Sequence, residues 1–398
     1  MAEITAGGAL TRPKASSPQG QTHMVTVAKT AGVSPFAQMM QMMALKKGPR
    51  FITAQEYYDF QLYSPSLSKK DRLEFLGEKG SFALNLKLAP PGLTHLRGFL
   101  SDKAALTSLF AAWGLPTTKL RAVFSPHRCL GNVPTLRSAA EVEFWLGAQT
   151  TFPIFGKPAK GCQALGTVRI NSIDRAAGLA ILANGRAVPL STLAAEVAAN
   201  TDHGYVFQDV VAQNPEINDL IGSETLSTLR LVTVVEEETP KLLYAVWKLG
   251  SAQAMSDNFW QAGSLIAQVN GATGEVQTCR LGSGTATTWV QNHPVTGQPI
   301  VGQTVPNFDK AVALAIEAHG AFAVNGILGW DIALTEAGAC LIECNENTGH
   351  ALYQYASGRG VMNAEFTPVF DRIIARNARM DQAFAAKRTA YRAAKAQF

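Results

Sequence analysis

Residues 326–350, GILGWDIALTEAGACLIECNENTGH, constrain the fold more than any other stretch of the chain. Two β-rich runs flank Glu336-Ala337-Gly338, which reads as a short hairpin loop with glycine where the backbone must turn left-handed. Centring the hairpin on Ala337 sets Asp331 opposite Glu343, and strand alternation puts Asn345 on the face of Glu343. The other face would carry Trp330, Ile332 and Leu334 against Cys340, Ile342 and Cys344, a set suited to a core. Two carboxylates opposed at about 5 Å between Cβ atoms repel one another. A hard cation between them reverses that sign. A few carboxylate and amide oxygens suit Mg²⁺, which keeps water and shares substrate phosphates. The plain alternative is a half-exposed hairpin whose acids sit in water.

Around this hairpin there is material for two or three packed units, since the chain has 398 residues and is 47% hydrophobic. No apolar run approaches the roughly 18 residues of a membrane span. No compact apolar stretch follows a basic start, so a cleaved secretory signal is not expected either. Cys129, Cys162, Cys279, Cys340 and Cys344 are scattered without a CxxC pair, as buried or free thiols in a reducing cytoplasm would be. Charge gathers at the two ends. Residues 1–50 carry six Lys/Arg against Glu3, and residues 371–398 carry seven against Asp371 and Asp381. Basic ends can bind nucleic acid or anionic lipid, but more often they are solvated, and nucleic acid is not expected as a partner.

Residues 1–34 mix Gly, Ser, Thr, Pro and Gln with little periodicity and read as a flexible lead-in. A helical region is expected over 35–98. Its first helix, 36–45, holds four methionines, read as a packed face rather than a partner groove. Helices over 54–63 and 67–76 follow, and Pro90-Pro91-Gly92 marks a break. A helix over 100–116 can be capped by Ser101 or Asp102 and ends near Gly114-Leu115-Pro116. A strand at 120–124 and a helix at 139–147 come next. Residues 151–170 read as strand, tight loop with Gly161 and Gly166, and strand. Short strands with a turn (178–190), a helix (191–199) and a strand (205–211) follow. The second half is strand-rich at 228–235, 241–249 and 264–269, with an apolar-faced helix at 309–320 before the hairpin. Helices over 363–380 and 381–398 close the chain. The class is α+β, with no repeat at a fixed period.

Lys157 ends a strand in Phe155-Gly156-Lys157-Pro158, and Pro158 cannot donate to a ladder, so that end should be open. A lysine followed by a glycine loop suits a polyphosphate, with Lys neutralising charge while loop N–H groups point inward. Its plain reading is a solvated lysine, and that of Lys103 an ordinary helix-surface lysine. Arg230 interrupts an apolar strand, where an unpaired guanidinium is costly. Its partner is either phosphate or a structural acid such as Glu224 or Glu236. Lys248 stands likewise at the end of an apolar strand. Residues 257–263 read as a loop shaped for close backbone approach, or as an ordinary turn.

The order of these features resembles the ATP-grasp superfamily, in particular its sugar-transfer-associated branch, whose members tend to read GWD(I/V)A.TE.G…L.E.N…G near the C-terminus. Residues 329–349 fit that line almost throughout, and the resemblance runs from about residue 51 to about residue 366. It implies an ATP-grasp fold, two α+β subdomains enclosing the nucleotide after a helical N-terminal segment. The subdomains would span 99–207 and, with the metal site, 208–366, followed by C-terminal helices over 367–398. It implies ATP with Mg²⁺ or Mn²⁺ as cofactors. Lys103 and Lys157, with the loop of Gly161 and Gly166, match the phosphate contacts. Gln208, Asp209 and Val211 match the hinge that meets adenine, and Glu216 the acid that holds ribose. Arg230 and Lys248 match the cations facing the phosphates and the developing intermediate. Asp331, Glu343 and Asn345 match the metal ligands. Two departures stand out: the loop 159–166 has only two glycines, with Cys162 where a small polar residue is usual, and Gln208 replaces a common glutamate.

The activity this implies is ligation of a small-molecule carboxylate to an amine or similar nucleophile through an acyl phosphate, in sugar-polymer or secondary-metabolite assembly. Two alternatives stay open: a small-molecule kinase on the same fold, and a nucleotide-binding module without turnover. Neither the substrates nor the oligomeric state can be read from the residues.

Overall fold

The structure, a computed structural model, describes residues 8–11, 20–90, 94–161, 165–252, 254, 263–282 and 284–395. Its first helices are α1 (Gly20–Thr30), α2 (Pro35–Lys46), α3 (Ala54–Asp59), α4 (Lys69–Leu73), α5 (Glu78–Leu88), α6 (Thr94–Leu100) and α7 (Lys103–Ala112). Asp102 caps α7, its carboxylate accepting the Ala105 N–H at 3.1 Å.

A first seven-stranded sheet follows, built from β1 (Leu120–Phe124), β2 (Thr135–Leu136), β3 (Ile154–Pro158), β4 (Val168–Asp174), β5 (Leu179–Leu182), β6 (Ala187–Pro189) and β7 (Tyr205–Asp209). Its order is β2-β1-β7-β3-β4-β5-β6. Helices α8 (Ala139–Ala148) and α9 (Leu190–Ala198) supply Val142, Leu146, Leu193 and Val197 to a core with Ile154, Ile170 and Phe207. The opposite face carries Val206 with Ala104 and Ala159.

The second sheet is again seven-stranded. After α10 (Pro215–Ile221) come β8 (Thr228–Val235), β9 (Pro240–Leu249), β10 (Leu265–Val269), β11 (Val276–Leu281) and β12 (Thr288–Trp289). Then α11 (Phe308–Gly320), β13 (Ile327–Thr335), β14 (Gly338–Asn345), α12 (Ala351–Ser357) and α13 (Thr367–Lys395) complete the described chain. The order is β12-β11-β10-β9-β8-β13-β14. One face packs Leu229, Leu231, Trp247 and Trp330 against residues of α7 and α11. The other packs Val232, Val234, Val246 and Ile327 beneath the N-terminal helices, α12 and α13. With both faces covered, β8 is buried at every position, which is why it reads as an almost unbroken apolar run.

The chain crosses between the sheets twice. Before β1, Thr117 bridges Leu341, and the Leu341 N–H donates to the Pro116 carbonyl at 2.8 Å. After β7, the Asn214 N–H donates to the Leu334 carbonyl at 2.9 Å.

Several expectations change. The lead-in expected over 1–34 contains α1, whose Val27 is fully buried. The helix expected over 54–63 stops at Asp59, because Gln61 turns left-handed (φ 53°) and so brings Leu62 and Tyr63 into the core. The helix over 67–76 shortens to Lys69–Leu73. The two terminal helices are one, since no glycine or proline follows Pro368 and Asp381 does not interrupt an Ala- and Arg-rich run. Of the four methionines of α2, Met42 packs against the core, while Met39, Met40 and Met43 are exposed. In the terminal hairpin, Thr335 pairs with Gly338 and Ile332 with Leu341, but Asp331 pairs with Glu343, so an extra residue bulges at Ile342. Leu341 therefore takes the core position expected for Ile342, and Cys340 and Ile342 lie outside that core while Cys344 stays in it. Cys129, Cys279, Cys340 and Cys344 are free thiols, and Cys162 lies outside the described residues. So does most of the loop expected over 257–263 and part of the break at 90–92.

Candidate functional site

One row of the second sheet aligns four positions in register: Val246 on β9, Arg230 on β8, Asp331 on β13 and Glu343 on β14. Direct cross-strand partners point to one face. Lys248 and Asn345, each two residues along, join them. Arg230 grips Asp331 with both arms, Nε to Oδ1 at 2.7 Å and Nη2 to Oδ2 at 3.0 Å. Lys248 Nζ reaches the same Oδ1 at 3.1 Å, and Asn345 Nδ2 donates to Oδ2 at 3.4 Å. The partner of Arg230 is thus neither Glu224, which pairs with Arg169, nor Glu236, which pairs with Lys241 and Arg372. Burial opposes the Asp331 charge, yet Arg230 first and Lys248 second hold its carboxyl far below the usual carboxylate range. Burial likewise opposes the Arg230 cation, and Asp331 more than offsets it, so its pKa is raised.

The first sheet and α7 bring two more cations to the β14 edge of this row. Lys103, at the first turn of α7, donates to the Gly161 carbonyl at 2.9 Å and stands 3.4 Å from Glu343 Oε2. It is no ordinary surface lysine, for its side chain is only 12% exposed. Lys157 is buried, and its Nζ donates at 3.4 Å to the carbonyl of Ile342, the unpaired residue of the β14 bulge. On the β4 side the β3 ladder ends at Gly156↔Val168, while Lys157 and Pro158 still face β7. Three cations therefore contact the carboxylates, Arg230 and Lys248 on Asp331 and Lys103 on Glu343, and a fourth, Lys157, holds the carbonyl next to Glu343. The neighbouring Glu346 is matched by Arg97 at 2.6 Å.

Other expected contacts are more scattered. Gln208 is buried on β7 and its Oε1 accepts from Thr118 Oγ1 at 3.4 Å. It shares a sheet face with Lys157, since Gln208 pairs with Phe155 and Val206 with Lys157. Asp209 lies 3.6 Å from Arg121 Nε. Val211 is half-buried in the crossing segment, and Glu216 is exposed in the first turn of α10. The Gly166 N–H donates to the Thr11 carbonyl at 2.8 Å and its carbonyl accepts from Tyr205, so its N–H is not turned toward Lys157. Residues 162–164 of that loop lie outside the described residues.

The segment after β14 is anchored from below. Gly329 admits Thr348 directly: a Cβ there would sit 2.4 Å from Thr348 Oγ1, which explains the glycine of GWD. Asn85 of α5 donates to Asn347 Oδ1 and to the Thr348 carbonyl, both at 2.9 Å. Its Oδ1 is left to accept from His350 Nε2 at 3.1 Å, so His350 Nδ1 accepts the Tyr244 hydroxyl at 2.8 Å. Burial pushes His350 down to about 3, so the ring is neutral. Asn347, Thr348 and His350 stand in the stretch that drew notice in the sequence. Tyr244 and Asn85 carried no signal there, because a buried amide on a helix has none.

The donor set of Asp331, Glu343 and Asn345 is all hard oxygen, as Mg²⁺ requires. Glu343 and Asn345 offer theirs readily. Asp331 has both oxygens taken by Arg230, Lys248 and Asn345, so a metal would share it only as one of those donors withdraws. Among the described residues no group of three or more His, Cys, Asp or Glu side chains is arranged to hold a metal ion, so the set depends on the Asn345 amide.

The sugar-transfer associated ATP-grasp family matches the chain over residues 97–367. No curated protein matches it. Similar solved structures include the D-alanine-D-alanine ligase from Coxiella burnetii, 10% identical over 73% of this chain and 62% of that one, with a TM-score of 0.40. Carboxyaminoimidazole ribonucleotide synthase from Aspergillus clavatus, complexed with ATP, is 12% identical over 63% of this chain and 45% of its own (TM-score 0.35). The L-amino acid ligase from Bacillus licheniformis is 12% identical over 69% and 48% (TM-score 0.37). This chain thus spans only 45–62% of the length of those three proteins, and the assignment rests on the family match.

Proposed function

The chain belongs to the sugar-transfer associated ATP-grasp family, and from that premise we propose that it is an ATP- and Mg²⁺-dependent ligase. It joins a small-molecule carboxylate to an amine or similar nucleophile. The observation that carries this reading is the convergence of Lys103, Arg230 and Lys248 on two register-matched carboxylates, with Lys157 on the carbonyl beside Glu343, an excess of positive charge suited to a polyphosphate.

In this reading the nucleotide lies between residues 99–207 and 208–366. Lys103 and Lys157 neutralise its phosphates. Gln208, Asp209 and Val211 meet adenine through the crossing segment, and exposed Glu216 holds ribose. Asp331, Glu343 and Asn345 would hold Mg²⁺, which would supply positive charge to the phosphate oxygens. A substrate carboxylate oxygen attacks the γ-phosphorus as the bond to the β–γ bridging oxygen breaks, giving an acyl phosphate and ADP. The amine then attacks the acyl carbon, phosphate departs and the nitrogen loses its proton. Arg230 is preorganised by Asp331, which takes its Nε and Nη2, and its Nη1 and positive charge serve the developing charge. The free thiols fit a cytoplasmic site of action.

Hydroxylamine tests the chemistry, because it traps acyl phosphates as hydroxamates. Given ATP and a panel of acids, the wild type should form hydroxamate, and Arg230→Ala should bind ATP yet form almost none. A stable phosphorylated acceptor without hydroxamate would make the protein a kinase instead.

A further inference from the structure

Helix α2 buries Leu45 and packs Met42 against the core but leaves a second apolar stripe outside. Phe36, Met39, Met40 and Met43 are 68%, 43%, 48% and 45% exposed, at the spacing that makes one ridge along a helix. Its glutamines face inward. Gln38 is fully buried and donates to the carbonyls of Met24 (3.1 Å) and Val33 (2.7 Å), while its Oε1 accepts the Tyr58 hydroxyl at 2.9 Å. Gln41 Oε1 accepts the Tyr57 hydroxyl at 2.6 Å. These bonds fix the rotation of the helix, so the apolar ridge is held outward by design of the interior.

The charges of the sequence around the ridge all have one sign. Lys46 and Lys47, three and four residues beyond Met43, continue it and are exposed. No Asp or Glu occurs from Ile4 to Gln55, a stretch that holds Arg12, Lys14, Lys29, Lys46, Lys47 and Arg50. The ridge is also convex, a single helix with Pro35 and Ala44 exposed beside it. A convex apolar ridge ending in cations asks for a deformable, anionic partner, and a bilayer surface rich in acidic lipid is both. The basic C-terminus belongs to the same helical layer: α13 contacts α5, and both α5 and α2 contact the turn Gly48–Arg50. The outer part of α13 exposes Phe384 and Tyr391 among Lys387, Arg388, Arg392 and Lys395.

We propose that α2 docks the protein on an anionic membrane surface, with Phe36 and the three methionines entering the headgroup–acyl boundary and Lys46 and Lys47 at the headgroups. This docking is independent of the nucleotide chemistry. The full chain is sedimented with phosphatidylcholine vesicles, with and without phosphatidylserine, at low and physiological salt. Capture should require phosphatidylserine and weaken with salt. Met39→Gln/Met40→Gln/Met43→Gln should lower the bound fraction by about tenfold or more with an unchanged melting temperature. Lys46→Glu/Lys47→Glu should do the same through charge, and serves if the triple variant is unstable. No capture of the wild type, equal capture without phosphatidylserine, or undiminished capture of both variants overturns the proposal. So does a wild-type dimer in light scattering that the methionine variant dissolves, since a second copy would then cover the ridge.

Discussion

The two carboxylates of the hairpin look equivalent in the sequence, and their surroundings make them opposites. Asp331 is buried against Arg230 and Lys248, whereas the Glu343 side chain keeps 22% of its surface and has Lys103 beside it. Replacing Asp331 by Asn strands two buried cations, which should cost roughly 3–5 kcal/mol of stability. Glu343→Gln removes a partly exposed charge and should cost no more than about 1 kcal/mol. Chemical denaturation of the two variants distinguishes them, and equal losses would mean that the burial contrast has no energetic weight. Repulsion between the two acids, expected from their opposition, is screened by these cations, so Glu343→Gln should not raise the melting temperature. Arg230→Lys keeps charge but loses the fork on Asp331, and should cost about 1–3 kcal/mol measured the same way. That Arg230 needed an anion was legible in its apolar strand. Which anion was not, because strand pairing, unlike strand identity, joins residues a hundred positions apart.

Among elements, β14 and α5 do most to shape the site. The bulge at Ile342 restores Asp331 to Glu343 after a tighter turn than Ala337 would centre, and the carbonyl of the bulged residue accepts from Lys157. The pairing of 331 with 343 was legible by symmetry, but the bulge was not, since no residue type marks it. Helix α5 lies outside the matched span that begins at residue 97, yet its Asn85 ties down Asn347, Thr348 and His350. Asn85→Ala leaves those groups unpaired in the interior and should cost about 1–3 kcal/mol. If the segment 345–350 is held for metal, Mn²⁺ affinity followed by electron paramagnetic resonance should weaken as well, while Asn85→Ser should recover part of both. Unchanged metal affinity in a destabilised variant would make Asn85 purely structural.

For the whole molecule, buried histidines shape the response to acid: burial lowers the pKa of His293, His319 and His350, most strongly the last two. His319 Nε2 donates to the Asn325 carbonyl (3.0 Å), and its Nδ1 accepts from Thr233 Oγ1 (2.7 Å), which in turn accepts from Trp330 Nε1. Burial pushes His319 down to about 4 and His350 to about 3, against an ordinary 6.5. Both are protonated more readily in the unfolded chain. Their contribution to stability is therefore complete above about pH 6.5 and is lost as pH falls toward 4. Melting temperatures should be flat in this respect from pH 8 to 7 and drop by several degrees by pH 5. His319→Gln or His350→Gln should make the slope shallower even if the protein is weaker at pH 7; a slope unchanged in both would show that other groups carry it.

The sequence by itself determined the local things: most helices and strands, the two-sided pattern of β13, the opposition of Asp331 and Glu343, and the lysines at the starts and ends of elements. Each is a matter of periodicity, turn chemistry or neighbours within a hairpin, where a few residues fix the geometry. The burial of both faces of the second sheet, the bidentate hold of Arg230 on Asp331, the reach of Asn85 to His350 and the outward methionines of α2 were decided by tertiary structure alone. Those depend on which distant surfaces exclude water from which. Apolar methionine looks the same in sequence whether it lines a core or waits on a surface, and it is the inward hydrogen bonds of Gln38 and Gln41 together with the packing of Leu45 and Met42 that turn the helix one way.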